Sequence, residues 1–229
     1  MQRFNDIEAW VFDLDNTLYP ASQNLFAEID VRMTAFIQDA LNVTKEEAFR
    51  VQKDFLGEYG TTLSGLMNVH GLEPGPFLDF VHDLDVSILT PDPSLKQAIA
   101  ALPGRKYIFT NGTKGHAARV CERLGLSELF DDVFDIVSAN YVPKPNPDIY
   151  PLMLESFGIG AQTSAFFEDM ARNLTPAHKL GMVTVLVQEE GQDGAQKMNM
   201  PEKYRTHDEA HIDHTTTDLA RFLTAITAR

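Results

Sequence analysis

The stretch Ala9-Trp10-Val11-Phe12-Asp13-Leu14-Asp15-Asn16-Thr17-Leu18-Tyr19-Pro20 decides how the rest of the chain is read. Its apolar run, Ala9 to Phe12, stops abruptly at an acidic residue. That is the pattern of a short strand buried on both faces of a parallel sheet and ending in a loop. Ligands of open α/β sheets bind beyond the carboxyl ends of the strands, which is where Asp13 and Asp15 stand. Side chains two positions apart leave a strand on the same side, so these carboxylates repel unless a cation lies beside them. A divalent metal is implied. An isolated Asp-x-Asp is more often a turn or a helix cap, but the full string is less ordinary.

Outward from this stretch, short apolar runs recur at Tyr107 to Phe109, Val133 to Val137, Ala165 to Phe167 and Met182 to Val187, and they read as further core strands. Helical patterns lie between them at Ser94 to Leu102, Ala117 to Leu124, Ile149 to Phe157 and Leu174 to Leu180. Strand and helix alternate, which predicts an α/β fold with a parallel sheet. The segment from Tyr19 to Thr90 carries helix signals only. Leu25, Ile29, Met33, Phe36, Ile37 and Leu41 form one apolar stripe on a helix over Ser22 to Leu41. Thr44 and Glu47 form a capping box for a second helix, which should end before Gly57 or Gly60. Leu63 to Val69 and Phe77 to Leu84 supply two more. The expected organisation is therefore a core of residues 1–18 and 91–229 with an all-α insert over 19–90. The polar stretch Gln188 to Glu209 reads as an exposed connection, and Leu219, Phe222, Leu223 and Ile226 as a final amphipathic helix.

Composition narrows the function classes. With 229 residues, 44% hydrophobic and 23% charged, the chain can bury a core without disulfides. A formal charge of −14 makes the average surface repel a phosphate backbone, so nucleic-acid polymers are poor partners. Cys121 is the only cysteine, which excludes an intrachain disulfide and points to a reducing cytoplasm. No secretory signal or membrane span is expected.

Four motifs carry a resemblance. The string VFDLDNTLYP resembles the first signature of the haloacid dehalogenase-like (HAD) superfamily, a strand followed by Asp-x-Asp-x-Thr, through Asp13, Asp15 and Thr17. Phe109-Thr110-Asn111-Gly112 matches the second, Lys144 within Val142 to Pro147 the third, and Phe167-Glu168-Asp169 the fourth. All four arrive in order, each beside a predicted strand. The resemblance implies a Rossmann-like core, with the insert between the first two motifs acting as a helical cap.

The resemblance also implies a chemistry. Asp13 would attack phosphorus to form an aspartyl-phosphate, and Asp15 would protonate the leaving alcohol and then activate water. Mg²⁺ would be held by the Asp13 and Asp169 carboxylates and the Asp15 main-chain carbonyl, with Glu168 ligating directly or through water. Leu14, Thr110, Asn111, Gly112 and Lys144 would contact the phosphate, Thr110 through its hydroxyl and the Asn111–Gly112 region through main-chain N–H groups. Asn173 would orient Asp169 or Lys144, or cap the next helix. The dehalogenases of this family lack the second aspartate, so Asp15 argues for phosphate monoester hydrolysis. Phosphonate chemistry needs a cap lysine in an apolar setting, which neither Lys45 nor Lys53 shows in sequence.

A finer likeness to pyrimidine 5′-nucleotidases rests on Leu18-Tyr19-Pro20, Ile29 to Met33 and Thr110-Asn111-Gly112, and implies UMP or CMP as substrate. Small sugar phosphates or phosphoglycolate form the alternative class, and a phosphate-binding module without turnover a third. Monomer and homodimer stay open. Tyr19–Pro20 and Thr90–Pro91 are the expected hinges. His207, His211 and His214 read as a solvated loop rather than a zinc site, and Cys121 as an inert packing residue. Met33, Phe36, Phe55 and Met67 read as the apolar core of the insert.

Overall fold

A computed structural model describes residues 4–189, 201–202 and 210–228. Strands β1 (Ala9–Phe12), β2 (Arg105–Phe109), β3 (Asp132–Phe134), β4 (Ser164–Glu168), β5 (Val183–Val187) and β6 (His214–Thr216) form one parallel sheet in the order β3-β2-β1-β4-β5-β6. Apolar residues fill both faces. Trp10, Phe12 and Ile108 pack with helices α5 (Pro93–Ala101), α6 (Lys114–Leu124) and α9 (Leu219–Thr227). Val11, Tyr107, Phe109 and Phe166 point the other way, toward α7 (Ile149–Phe157) and α8 (Ala171–Leu180). Burial on both faces is why these strands read as continuous apolar runs.

The chain runs outward from β1 through β2 and β3, then returns to β4 on the other side of β1. The strand order therefore reverses between β1 and β4, and a crevice opens at the carboxyl ends of those two strands. Phe12 pairs with Phe167, so Asp13 emerges directly beside Glu168 and Asp169.

Between β1 and β2 the structure is helical: α1 (Leu25–Leu41), α2 (Lys45–Tyr59), α3 (Thr62–His70) and α4 (Pro74–His82). They share a core of their own, built on Ile29, Ile37, Leu63, Leu66, Phe77 and Val81, which Ile136 joins from the α/β part. The Thr44–Glu47 capping box is formed, and α2 stops at Gly60.

Several boundaries differ from expectation. The run Val133 to Val137 pairs only as far as Phe134, because the Asp135 carboxylate binds the amides of Lys114 and Ser138 and turns the chain. α1 begins at Leu25, since Asn24 sits in the left-handed region at φ 63° after a short 3₁₀ turn. α4 ends at His82, and β6 was not foreseen. His211 and His214 do not form a solvated loop: His211 is buried with Nε2 2.7 Å from the Ala171 carbonyl, and His214 lies in β6 against Phe4. His207 and most of the stretch Gln188 to Glu209 lie outside the described residues. Cys121 is buried, and burial pushes its thiol up to about 12. Among the described residues, no helix is long and apolar enough to cross a membrane.

Candidate active site

The crevice at the strand reversal is lined by Asp13, Asp15, Thr110, Asn111, Gly112, Lys144, Glu168, Asp169 and Asn173. Lys144 is its centre. Its ammonium, 1% exposed, donates to Asp13 Oδ1 at 2.7 Å, Glu168 Oε2 at 2.7 Å and the Phe109 carbonyl at 2.8 Å, which uses all three of its protons. Burial alone would depress its pKa, but the two carboxylates outweigh burial and raise it. The Asn111 side chain holds this lysine's backbone, accepting from Lys144 N and donating to Lys144 O. Asn111 is thereby a clamp on the Lys144 segment.

One oxygen each from Asp13, Glu168 and Asp169 lies within 4.8 Å of the others. Three buried carboxylates against a single ammonium leave an excess of negative charge. Burial, then Glu168, pushes Asp13 up to about 7, and the same two causes, followed by Asp13, push Asp169 well above the carboxylate range. Asp169 Oδ2 and Asn173 Oδ1 are buried with no hydrogen-bond partner among the described residues. Hard oxygen donors, surplus negative charge and an orphaned carboxylate oxygen all fit a divalent cation such as Mg²⁺. The Asp15 carboxylate is not part of this group.

The other expected residues have specific surroundings. Thr110 Oγ1 accepts from Gly112 N at 2.9 Å, which commits the Gly112 N–H, and its own proton goes to no other described residue. That amide is therefore not an open phosphate donor. Leu14 is fully buried with its side chain in the core, and its carbonyl accepts from Thr17 and Leu18. Asn173 caps nothing: Met170 takes the N-cap position of α8, and the Tyr150 hydroxyl binds the Asn173 carbonyl. Lys53, unlike its appearance in sequence, is buried at 3% exposure and paired with Asp30, and burial lowers its pKa. It lies behind Asp30, Gln52 and Thr62, which line the cavity where Lys53 does not.

Residues 7–181 match the haloacid dehalogenase-like hydrolase family. The chain belongs to that family. Phosphate metabolism protein 8 of Saccharomyces cerevisiae is 26% identical over 197 residues, covering 78% of this chain but 61% of the yeast protein, so the chain spans about three-fifths of that relative. Glyceraldehyde 3-phosphate phosphatase of Methanocaldococcus jannaschii is 29% identical over 197 residues, covering 79% of this chain and 85% of the archaeal one. The crystal structure of a HAD phosphatase from Thermococcus onnurineus covers 96% of this chain and 98% of its own, with a TM-score of 0.63 at 19% identity, a likeness of fold.

This family member also carries groups that sequence reading missed. The Tyr19 hydroxyl donates to Asp15 Oδ1 at 2.5 Å, and His116 Nε2 lies 2.9 Å from the same oxygen. Burial pushes Asp15 up, but His116 and then Tyr19 outweigh it and leave the carboxyl below its ordinary value. Arg172 donates to the carbonyls of Leu56 and Gly60 at the end of α2, and burial lowers its pKa to about 10. Asp13, Thr110 and the Glu168–Asp169 pair lie at strand ends, whereas His116 stands 101 positions from Asp15 and Arg172 116 positions from Leu56.

Proposed function

We propose that this chain is a Mg²⁺-dependent phosphate monoester hydrolase that carries the phosphoryl group on Asp13. The observation that supports it is the buried contact of Lys144 with both Asp13 and Glu168, beside an unsatisfied Asp169, at the strand reversal. Asp13 attacks phosphorus, and the bond to the leaving alcohol breaks as Asp15 delivers a proton to it. Asp15 then removes a proton from water, whose oxygen attacks phosphorus and releases Asp13. Lys144 fixes the nucleophile and offsets charge, while Glu168 keeps the ammonium in place. Thr110 donates its free hydroxyl proton to a phosphoryl oxygen, and the main chain at Leu14 and Asn111 supplies further contacts. Mg²⁺, held by Asp13, Asp169 and the Asp15 carbonyl, would supply charge neutralisation at the phosphoryl oxygens. Residues 19–90 act as a cap that excludes water during the first transfer.

The substrate is a small phosphorylated metabolite, and a pyrimidine nucleotide is the class favoured by the cavity wall. Phe26, Ile29, Met33, Phe77, Leu78 and Val81 of the insert face the carboxylates, with Asp30, Gln52 and Thr62 as polar handles. An apolar wall with few convergent polar groups suits a flat base better than a triose. The archaeal relatives, which are glyceraldehyde 3-phosphate phosphatases, favour a second reading, a triose or sugar phosphate. Phosphate release from CMP, UMP, glyceraldehyde 3-phosphate and phosphoglycolate with Mg²⁺ separates the two. Equal or faster turnover of the sugar phosphates overturns the nucleotide reading, and no turnover of any ester leaves a phosphate-binding module. Asp13→Asn is expected to abolish phosphate release altogether, and retained turnover would refute the nucleophile. A formal net charge of −14 and a lone buried thiol fit a cytoplasmic enzyme of small substrates.

A further inference from the structure

Three buried groups around Asp15 have no task in that mechanism. Tyr19 follows the first motif, His116 lies in the first turn of α6, and His82 is the last residue of α4 in the insert. Tyr19 and His116 both engage Asp15 Oδ1, whereas no hydrogen bond from another described residue reaches Oδ2, and Asp15 lines the cavity. The His82 ring stacks on His116 with centroids 4.5 Å apart and planes 13° apart. His82 is itself held from the core: its Nδ1 lies 3.4 Å from Thr113 Oγ1, and its carbonyl accepts from Arg119. Gly112 makes room for the imidazole, because a Cβ there would stand 3.3 Å from His116 Cδ2.

We propose that Tyr19 and His116 are positioning residues that fix Asp15 through Oδ1, so that Oδ2 is the oxygen that exchanges the proton, with His82 clamping the imidazole from the insert. The inference rests on the hydrolase reading above. An aspartate side chain has two free torsions, and two donors from separate elements fix both. The oxygen that accepts two hydrogen bonds is the less basic one, so the exchangeable proton resides on the other. In the first transfer, the Asp13–phosphorus bond forms as the bond from phosphorus to the alcohol oxygen breaks, and that oxygen takes the proton from Oδ2. In the second, Oδ2 takes a proton from water as the water oxygen bonds phosphorus and Asp13 leaves. Because His82 belongs to the insert, Asp15 is fully set only when α4 is seated on α6.

Leaving groups report this role. The full chain with Mg²⁺ is compared in single turnover on β-glycerophosphate, whose alcohol needs a proton to leave, and on p-nitrophenyl phosphate, whose phenolate does not. In Tyr19→Phe and His116→Ala, alcohol release should fall about 10- to 100-fold while phenolate release changes less than about threefold. His82→Ala should show the same selectivity with a smaller loss, and KM should move little. His116→Gln, which returns a donor near the Nε2 position, should recover part of the loss. Equal losses on both esters, no loss, or no recovery in His116→Gln would overturn the positioning role.

A second readout needs no turnover. The Nε2–H resonance of His116 should be hydrogen-bonded and protected from exchange in the metal-free protein, and should lose that protection in Asp15→Ala. Persistence of the protected signal there would also overturn the assignment. Should His116→Ala not fold, the near-isosteric Tyr19→Phe and this resonance decide. Failure of the hydrolase reading looks different: the wild-type chain would release phosphate from neither ester, or Asp13→Asn would retain turnover of both, whatever Tyr19→Phe does.

Discussion

A lysine with 1% exposure is tolerable only if its charge is met on every side, and Lys144 meets two carboxylates and a carbonyl. The dependence is mutual, since Lys144 is the ammonium that Asp13 and Glu168 share. Lys144→Met should therefore lower stability by about 3–5 kcal/mol, because the stranded carboxylates stay buried. Urea unfolding without metal checks this, and phosphate release should be lost in the same variant. An unchanged unfolding midpoint would mean that water or protonation of the carboxylates makes up for the lost ammonium. Asp13, Glu168 and Asp169 were legible in sequence because each sits at a strand end, and Lys144 because it falls in the short string Val142 to Pro147 in the order of the other motifs. His116 and His82 were not, because their contacts join separate segments, and Tyr19, only four positions from Asp15, was read within Leu18-Tyr19-Pro20 rather than as a donor to Asp15. Gly112 followed by a histidine at the start of a helix was the one local trace, since a missing side chain there leaves space for a ring. Lys53 misled for the same reason: its neighbours in sequence are polar, and only the packing of α2 on α1 shows that it is buried against Asp30.

At the scale of elements, the insert depends on close contacts between its own helices. Gly65 in α3 faces Phe55 of α2 so tightly that an added Cβ would stand 2.2 Å from Phe55 Cγ. Gly65→Ala gains helix propensity, about 1 kcal/mol at most, yet overpacking costs about 1–3 kcal/mol and should win. The expected outcome is faster hydrogen exchange in α2 and α3 and a lower thermal midpoint, with the sheet amides unchanged. Equal loosening of the sheet would show that insert and core unfold as one unit. The helices of the insert were readable because each carries an apolar stripe at a period near 3.6, and the second also a capping box. The edge strand β6 escaped because His214-Thr215-Thr216 has no apolar run, its pairing being made by the backbone alone. The far end of the third strand was over-read because Val133 to Val137 is apolar apart from Asp135, and that one carboxylate turns the chain.

Across the whole molecule, the sheet order brings the acidic ends of β1 and β4 together in a chain that already carries −14. This arrangement concentrates repulsion at the crevice, and it ties stability to pH. Asp13, with a pKa raised from 3.8 to about 7, keeps a proton in the folded state that the unfolded chain has released. Its contribution to metal-free stability is therefore present at low pH and lost as pH rises through that window, and Asp169 acts in the same sense. His82 acts oppositely. Burial pushes it down to about 3, so stability is lost as pH falls below 6.5, when only the unfolded chain takes up that proton. A net pH profile thus mixes two slopes, but Mg²⁺ at the proposed site would address only the carboxylates, and would bind them deprotonated. The rise in thermal midpoint on adding Mg²⁺ should accordingly be small near about pH 5, where Asp13 is protonated, and should grow until it levels off above about pH 7. Asp13→Asn should shrink this increment and flatten its pH dependence together. If the wild-type increment were the same at both ends of the range, the ion would be held elsewhere, because no ligand set containing Asp13 can take up a cation without first giving up that proton.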